Sequence, residues 1–137
     1  MTDEDLIAAA RAARERAYVP YSHFKVGAAL LAADGTVYTG CNVENASYGL
    51  CNCAERTAFF AAIAAGAAPR RFAKLAVVGD TPGPIAPCGA CRQVILELGG
   101  PDLPVLLANL GSARESTTAA ALLPGAFDAA SLHRPQP

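Results

Sequence analysis

Three of the five cysteines in this 137-residue chain stand at the starts of two segments with helical patterning, Cys53 at one and Cys88 with Cys91 at the other. Cys91 follows Cys88 by three residues and lies on the same helix face. Two thiolates from one helix start and a third from another can meet at a single point, which makes the two helices neighbours in any fold that uses all three. Three protein ligands with a fourth position left open is a catalytic arrangement for zinc, whereas a structural site is normally closed by four. Cys41, Cys51, His23 and His133 are the residues that could close it. Cys51 is one residue removed from Cys53, a poor spacing for sharing an ion once Cys53 is helical. A redox reading of Cys88-Gly89-Ala90-Cys91 leaves Cys53 unexplained.

The rest of the chain alternates strand and helix. Thr2 to Tyr18 carries Leu6, Ile7, Ala10, Ala13, Ala17 and Tyr18 at helical spacing, with Thr2 or Asp3 as cap and Pro20 as stop. Phe24–Ala33 and Thr36–Val43 flank Asp34-Gly35 as a β-hairpin. Residues 44–52 read as a loop, and Cys53 to Ala65 as a helix ending near Gly66. A strand follows over 72–79, then a loop through Pro82, Pro84 and Pro87, which a helix would not tolerate. A helix over 88–98, strands over 104–109 and 115–118, and a short helix over 119–122 complete the pattern. This order predicts an α/β fold, a three-layer α/β/α domain around a mixed five-stranded sheet. The domain is expected over residues 1–132, with 133–137 a loose tail.

Charge narrows the ligand. Eleven Lys plus Arg against twelve Asp plus Glu leave a net charge of −1, with no basic surplus to hold a polyanion, which argues against nucleic acid as the main partner. No apolar stretch approaches the roughly 20 residues of a membrane span, and the acidic start, Met1 to Asp5, is unlike a signal peptide. A cytoplasmic protein is expected, where thiols stay reduced and clustered cysteines serve metals or catalysis. Hydrophobic residues reach 53%, above the usual 45–50% or so. Thirty-one of the residues are alanine, suited to close helix packing; the remaining surplus fits an oligomer interface.

Glu55 lies two residues after Cys53. A first-turn glutamate on its own does no more than complement the helix dipole. Beside three thiols it is placed to take a proton from a metal-activated water. Cys53-Ala54-Glu55 followed by Pro87-Cys88-Gly89-Ala90-Cys91 is the zinc deaminase pattern with three cysteine ligands. The likeness extends through Tyr21-Ser22-His23-Phe24-Lys25-Val26-Gly27-Ala28-Ala29-Leu30, Gly40-Cys41-Asn42-Val43-Glu44-Asn45-Ala46-Ser47-Tyr48, Cys53-Ala54-Glu55-Arg56, Pro87-Cys88-Gly89-Ala90-Cys91-Arg92-Gln93 and Leu122-Leu123-Pro124-Gly125-Ala126-Phe127. Over nearly its whole length the chain resembles the small, homotetrameric, zinc-dependent type of cytidine deaminase.

That resemblance implies one Zn2+ per subunit on Cys53, Cys88 and Cys91, and hydrolysis of cytidine and deoxycytidine to uridine and deoxyuridine with release of ammonia, in pyrimidine salvage. Zinc-bound hydroxide attacks C4 in such enzymes, and Glu55 would shuttle the protons. Phe24 would pack on the pyrimidine, Asn42 and Glu44 would hold the ribose 3′-hydroxyl, and Ala54 would line the substrate site. Ala46, Tyr48 and Phe127 match positions that reach into a neighbouring subunit's site. By position alone, Arg56, one turn after Cys53, and Arg92, directly after Cys91, are placed to donate hydrogen bonds to the sulfurs, and similar enzymes implicate Arg56. Cys41 and Cys51 match no ligand and are read as small buried hydrophobes, His23 and His133 as surface residues. The competing readings are a deaminase of nucleoside analogues, a polynucleotide deaminase and a noncatalytic zinc protein.

Overall fold

A computed structural model describes residues 1–132; the expected tail, with His133, lies outside the described residues. Helix α1 (Asp3–Arg14) opens the chain, followed by β1 (Val26–Ala32), β2 (Val37–Cys41), α2 (Ala54–Ala64) and β3 (Phe72–Gly79). Then come α3 (Gly89–Val94), β4 (Pro104–Asn109), β5 (Arg114–Thr118) and α4 (Ala119–Leu122). The strands form one sheet in the order β2-β1-β3-β4-β5. Only β3 and β4 run parallel; every other pair is antiparallel. The mixed five-stranded sheet expected from the alternation is therefore present.

Strand periodicity sends alternate residues to opposite faces, and the two faces carry two cores. Ala29, Ala76, Val78, Leu106 and Ala108 face Leu6, Ile7 and Ala10 of α1. Ala28, Leu30, Leu75, Val77, Val105 and Leu107 face Ala54, Ala58, Phe59 and Ala62 of α2, with Cys91 and Ile95 from the α3 region. Small residues such as Ala10, Ala54, Ala58 and Ala62, all wholly buried, let the helices approach the sheet closely. The approach is tightest at two glycines. A Cβ on Gly27 of β1 would lie 1.9 Å from the Ala10 carbonyl oxygen of α1, and one on Gly40 of β2 would lie 2.4 Å from Ala58 N and 2.5 Å from Ala54 O of α2.

Local chemistry sets most element ends. Thr2 Oγ1 accepts Asp5 N at 3.1 Å while Asp5 Oδ2 accepts Thr2 N at 2.8 Å, a reciprocal cap that starts α1. Gly35, at φ 92°, makes the hairpin turn, and Asp34 Oδ1 accepts Thr36 N at 3.0 Å. The expectation of helix to Tyr18 is corrected. Helix α1 stops at Arg14 because Tyr18 N donates to Asn42 O at 3.0 Å and Tyr18 O accepts Glu44 N at 2.9 Å, a bridge that needs extended backbone. The helix expected over 88–98 also divides: α3 widens into a π-type turn over Ile95–Gly99. Within the loop after β2, Tyr48–Leu50 forms one 3-10 turn.

Candidate active site

Cys53 and Cys88 are the N-cap residues of α2 and α3, and neither side chain caps its helix. Their sulfurs are thus free to turn toward each other. Cys53 Sγ lies 3.7 Å from Cys88 Sγ, Cys88 Sγ lies 3.5 Å from Cys91 Sγ, and all three fall within 4.8 Å of one another. Thiolates bound tetrahedrally at 2.3 Å from zinc would stand about 3.8 Å apart. The three sulfurs fit a zinc ion on spacing and on donor chemistry. Cys91 is buried, Cys53 half-buried and Cys88 exposed, so one side of the cluster faces outward. Among the described residues this is the one group of Cys, His, Asp and Glu gathered closely enough to hold a metal.

The start of α2 is pinned from below. Thr57 Oγ1 donates to Cys53 O at 3.0 Å and accepts Asn52 Nδ2 at 3.1 Å. Glu55, next on the helix, is 4% exposed and is the buried charged residue of the core. Burial raises its carboxyl above the usual range, and the Cys53 thiolate adds to the rise. Arg56 Nη2 donates to Cys53 Sγ at 3.2 Å, as a residue three positions along a helix can. The Cys53 thiol is pushed down to about 5, first by a hydrogen bond from Cys91, then by Arg56 and Cys88. Cys91 moves the other way, raised by that same bond and by burial. The Arg56 Nε is buried without a hydrogen-bond partner among the described residues.

Arg92 behaves differently from expectation. Its Nε donates to Pro87 O at 2.8 Å and its Nη1 to Leu122 O at 2.9 Å, rather than to a sulfur. One position after Cys91 the helix has turned by about 100°, which points Arg92 away from the cluster. It fastens the residue before Cys88 to the end of α4. Gln93, whose role no local sequence signal marks, donates to Phe127 O at 2.8 Å and ties down the C-terminal segment.

Asn42 and Glu44 leave the end of β2 on one side and hold the segment before β1. Asn42 Oδ1 accepts Val26 N at 2.9 Å, and its Nδ2 donates to Phe24 O at 2.7 Å. Glu44 Oε1 accepts Tyr21 N and Ser22 N, both at 3.1 Å, while Glu44 Oε2 accepts the Ser22 hydroxyl. These bonds, led by the one from the Ser22 hydroxyl, hold the Glu44 carboxyl below its usual range. A cavity of about 330 Å³ is lined by Tyr21, Ser22, Glu44, Tyr48 and Cys51. The reading of Cys51 and Cys41 as buried is corrected: both are half-buried, and Cys51 Sγ accepts Asn45 N at 3.3 Å. Ala54 is wholly buried beside Cys53. Ala46 is exposed, His23 is exposed as expected, and the aromatic rings of Phe24, Tyr48 and Phe127 lie open at 41%, 74% and 61%.

Residues 1–107 match the family model described as the cytidine and deoxycytidylate deaminase zinc-binding region. A cytidine deaminase of Sporosarcina psychrophila is 61% identical over 127 residues, covering 93% of this chain and 92% of its own. That of Halalkalibacterium halodurans is 56% identical, covering 94% and 96%. The crystal structure of cytidine deaminase from Burkholderia pseudomallei superposes with a TM-score of 0.92 at 66% identity, over 93% of this chain and all of the other.

Proposed function

The chain belongs to the cytidine and deoxycytidylate deaminase family, and from that premise we propose that it hydrolyses the 4-amino group of cytidine and deoxycytidine, giving uridine and deoxyuridine plus ammonia, in cytoplasmic pyrimidine salvage. The observation that carries the reading is a buried carboxyl, Glu55, set beside three convergent sulfurs. Cys53, Cys88 and Cys91 would hold one zinc. When bound, the zinc supplies a polarised water as nucleophile toward C4.

The chain's own groups handle the protons. Glu55 takes a proton as the water oxygen bonds to C4 and delivers it to N3. It then moves the remaining hydroxyl proton to N4, so that the C4–N4 bond breaks, the C4 carbonyl forms and ammonia departs. One water is consumed. A single carboxylate serves each transfer because water, N3 and N4 surround one carbon. A carboxyl raised by burial suits this, since it gives and takes a proton nearer neutral pH than an exposed one. Three thiolates would bring three negative charges to a doubly charged ion and so weaken its pull on a bound water. Arg56, which donates to Cys53 Sγ, and the positive N-terminal end of α2 would draw that charge back.

Phe24 packs on the base in this reading, and Asn42 and Glu44 receive the sugar 3′-hydroxyl. Ala54 walls the pocket. The domain occupies residues 1–132 and assembles as a homotetramer, with Ala46, Tyr48 and Phe127 completing a neighbour's site. The supporting feature is the apolar surface a lone protomer leaves open at Phe24, Tyr48, Leu50, Phe60 and Phe127.

The test follows cytidine loss and ammonia release by zinc-loaded enzyme, with and without chelator, alongside Glu55→Gln. The variant is expected to keep its zinc and to lose about 10³-fold or more in kcat. Substantial turnover by zinc-replete Glu55→Gln would remove Glu55 from the chemistry, and metal-loaded protein that makes no uridine would refute the activity.

A further inference from the structure

We infer that Ser22 is a positioning residue that leaves the Glu44 carboxylate with a single open acceptor site, and so sets how the enzyme recognises one sugar hydroxyl. The inference rests on the reading of Asn42 and Glu44 as the receptors of the 3′-hydroxyl. A carboxylate offers about four lone-pair directions. Tyr21 N and Ser22 N take two of them on Oε1, and the Ser22 hydroxyl takes one on Oε2. One direction remains, on Oε2. Asn42, two residues earlier and on the same side of the strand end, has given Oδ1 to Val26 N and one of its two amide hydrogens to Phe24 O. One amide hydrogen remains there. One open acceptor and one open donor match a single hydroxyl, which donates to the first and accepts from the second.

Ser22 also joins the sugar side to the base side. Its Oγ accepts Phe24 N at 3.0 Å while donating to Glu44, so one oxygen fixes both the carboxylate and the backbone that presents the Phe24 ring. The turn that allows this passes through His23 at φ 57°, a left-handed conformation uncommon for a residue other than glycine. His23 N donates to Val19 O at 3.0 Å and locks the turn. The cavity lined by Ser22, Glu44 and Tyr48 opens beside this arrangement.

The experiment compares kcat and KM of wild type, Ser22→Ala and Ser22→Thr on cytidine, deoxycytidine and 3′-deoxycytidine, each enzyme at full zinc content. Wild type is expected to prefer cytidine over 3′-deoxycytidine. Ser22→Ala is expected to lose about tenfold in kcat/KM on cytidine and deoxycytidine, mainly through KM, the scale of one displaced hydrogen bond to a charged group. On 3′-deoxycytidine the loss should be several-fold smaller, limited to what the Ser22 bond to Phe24 N contributes at the base, because the hydroxyl that reads Glu44 is missing. Ser22→Thr, which keeps the hydroxyl, should recover most of the loss. An equal loss on all three substrates would make Ser22 a general scaffold residue and overturn the inference, as would no loss on any. Equal wild-type rates on cytidine and 3′-deoxycytidine would instead sink the 3′-hydroxyl reading itself.

Discussion

Replacing Gly40 with alanine should injure catalysis more than stability, and a matched change on the other sheet face should do the reverse. The new Cβ would lie 2.4 Å from Ala58 N and 2.5 Å from Ala54 O, whereas ordinary contact begins at 3.4 Å. Both neighbours are backbone of α2, so no side chain can swing aside and the helix has to retreat by about 1 Å. Overpacking of this kind costs about 1–3 kcal/mol, which for a chain of this size lowers Tm by roughly 3–5 °C per kcal/mol. The same retreat carries Cys53 and Glu55 with it. A reactive group displaced by about 1 Å costs on the order of 10²-fold in rate. Gly27→Ala presses instead on Ala10 O at 1.9 Å and Arg14 N at 2.6 Å in α1, on the face away from the sulfurs. Thermal melts and kcat per folded, zinc-loaded protomer on cytidine separate the two effects. Gly27→Ala should melt at least as early as Gly40→Ala and turn over near the wild-type rate. A Gly40→Ala enzyme with kcat within about threefold of wild type, or a Gly27→Ala enzyme slowed as much, would refute the steric argument.

Zinc affinity should rise with pH. Near neutrality an arriving ion meets Cys53 already as a thiolate, its pKa pushed down to about 5, and has to displace the proton that the Cys53 hydrogen bond and burial hold on Cys91. Each released proton steepens affinity by about tenfold per pH unit. Below pH 5 Cys53 also binds a proton and the slope increases; competition with a chromophoric chelator reads both regimes, and a flat profile would contradict the assignment. The same titration on Arg56→Ala, which loses the 3.2 Å bond to Cys53 Sγ, should show about 10- to 100-fold weaker zinc and slower turnover. For the proposed tetramer, specific activity followed during dilution should fall as the assembly separates, and a fully active monomer would remove Tyr48 and Phe127 from a neighbour's site.

Much of the fold was readable because it follows period and punctuation. The Asp34-Gly35 turn, the glycines and prolines around the second and third helices, and the two-residue alternation of the strands are local signals, and they place all five strands. What failed depended on distant partners. Tyr18 continues the helical pattern of α1, yet its backbone is claimed by Asn42 and Glu44. Within the site, the sulfur cluster and Arg56 followed from helix spacing, since three residues bring side chains to one face. Arg92 follows Cys91 in the chain but bonds Pro87 O and Leu122 O, because neighbours along a helix do not share a face. The sequence ties Asn42 and Glu44 to a ligand, but their grip on Tyr21, Ser22, Phe24 and Val26 is set by contacts distant in the chain. The one local clue to Ser22 was its place two residues before Phe24, the spacing of a serine turn.

Cys53, Ala54, Glu55 and Arg56 are consecutive, yet each meets a different environment: the sulfur cluster, a sealed wall, a buried carboxyl site, and the flank of Cys53. Successive residues of a helix are rotated by about 100°. Any one-residue insertion or deletion at the start of α2 would therefore turn all four side chains out of place together. Point substitutions can adjust these positions singly, but changes of length cannot. Residues added outside the helix, as in the loop between β3 and α3, would leave the register of α2 intact.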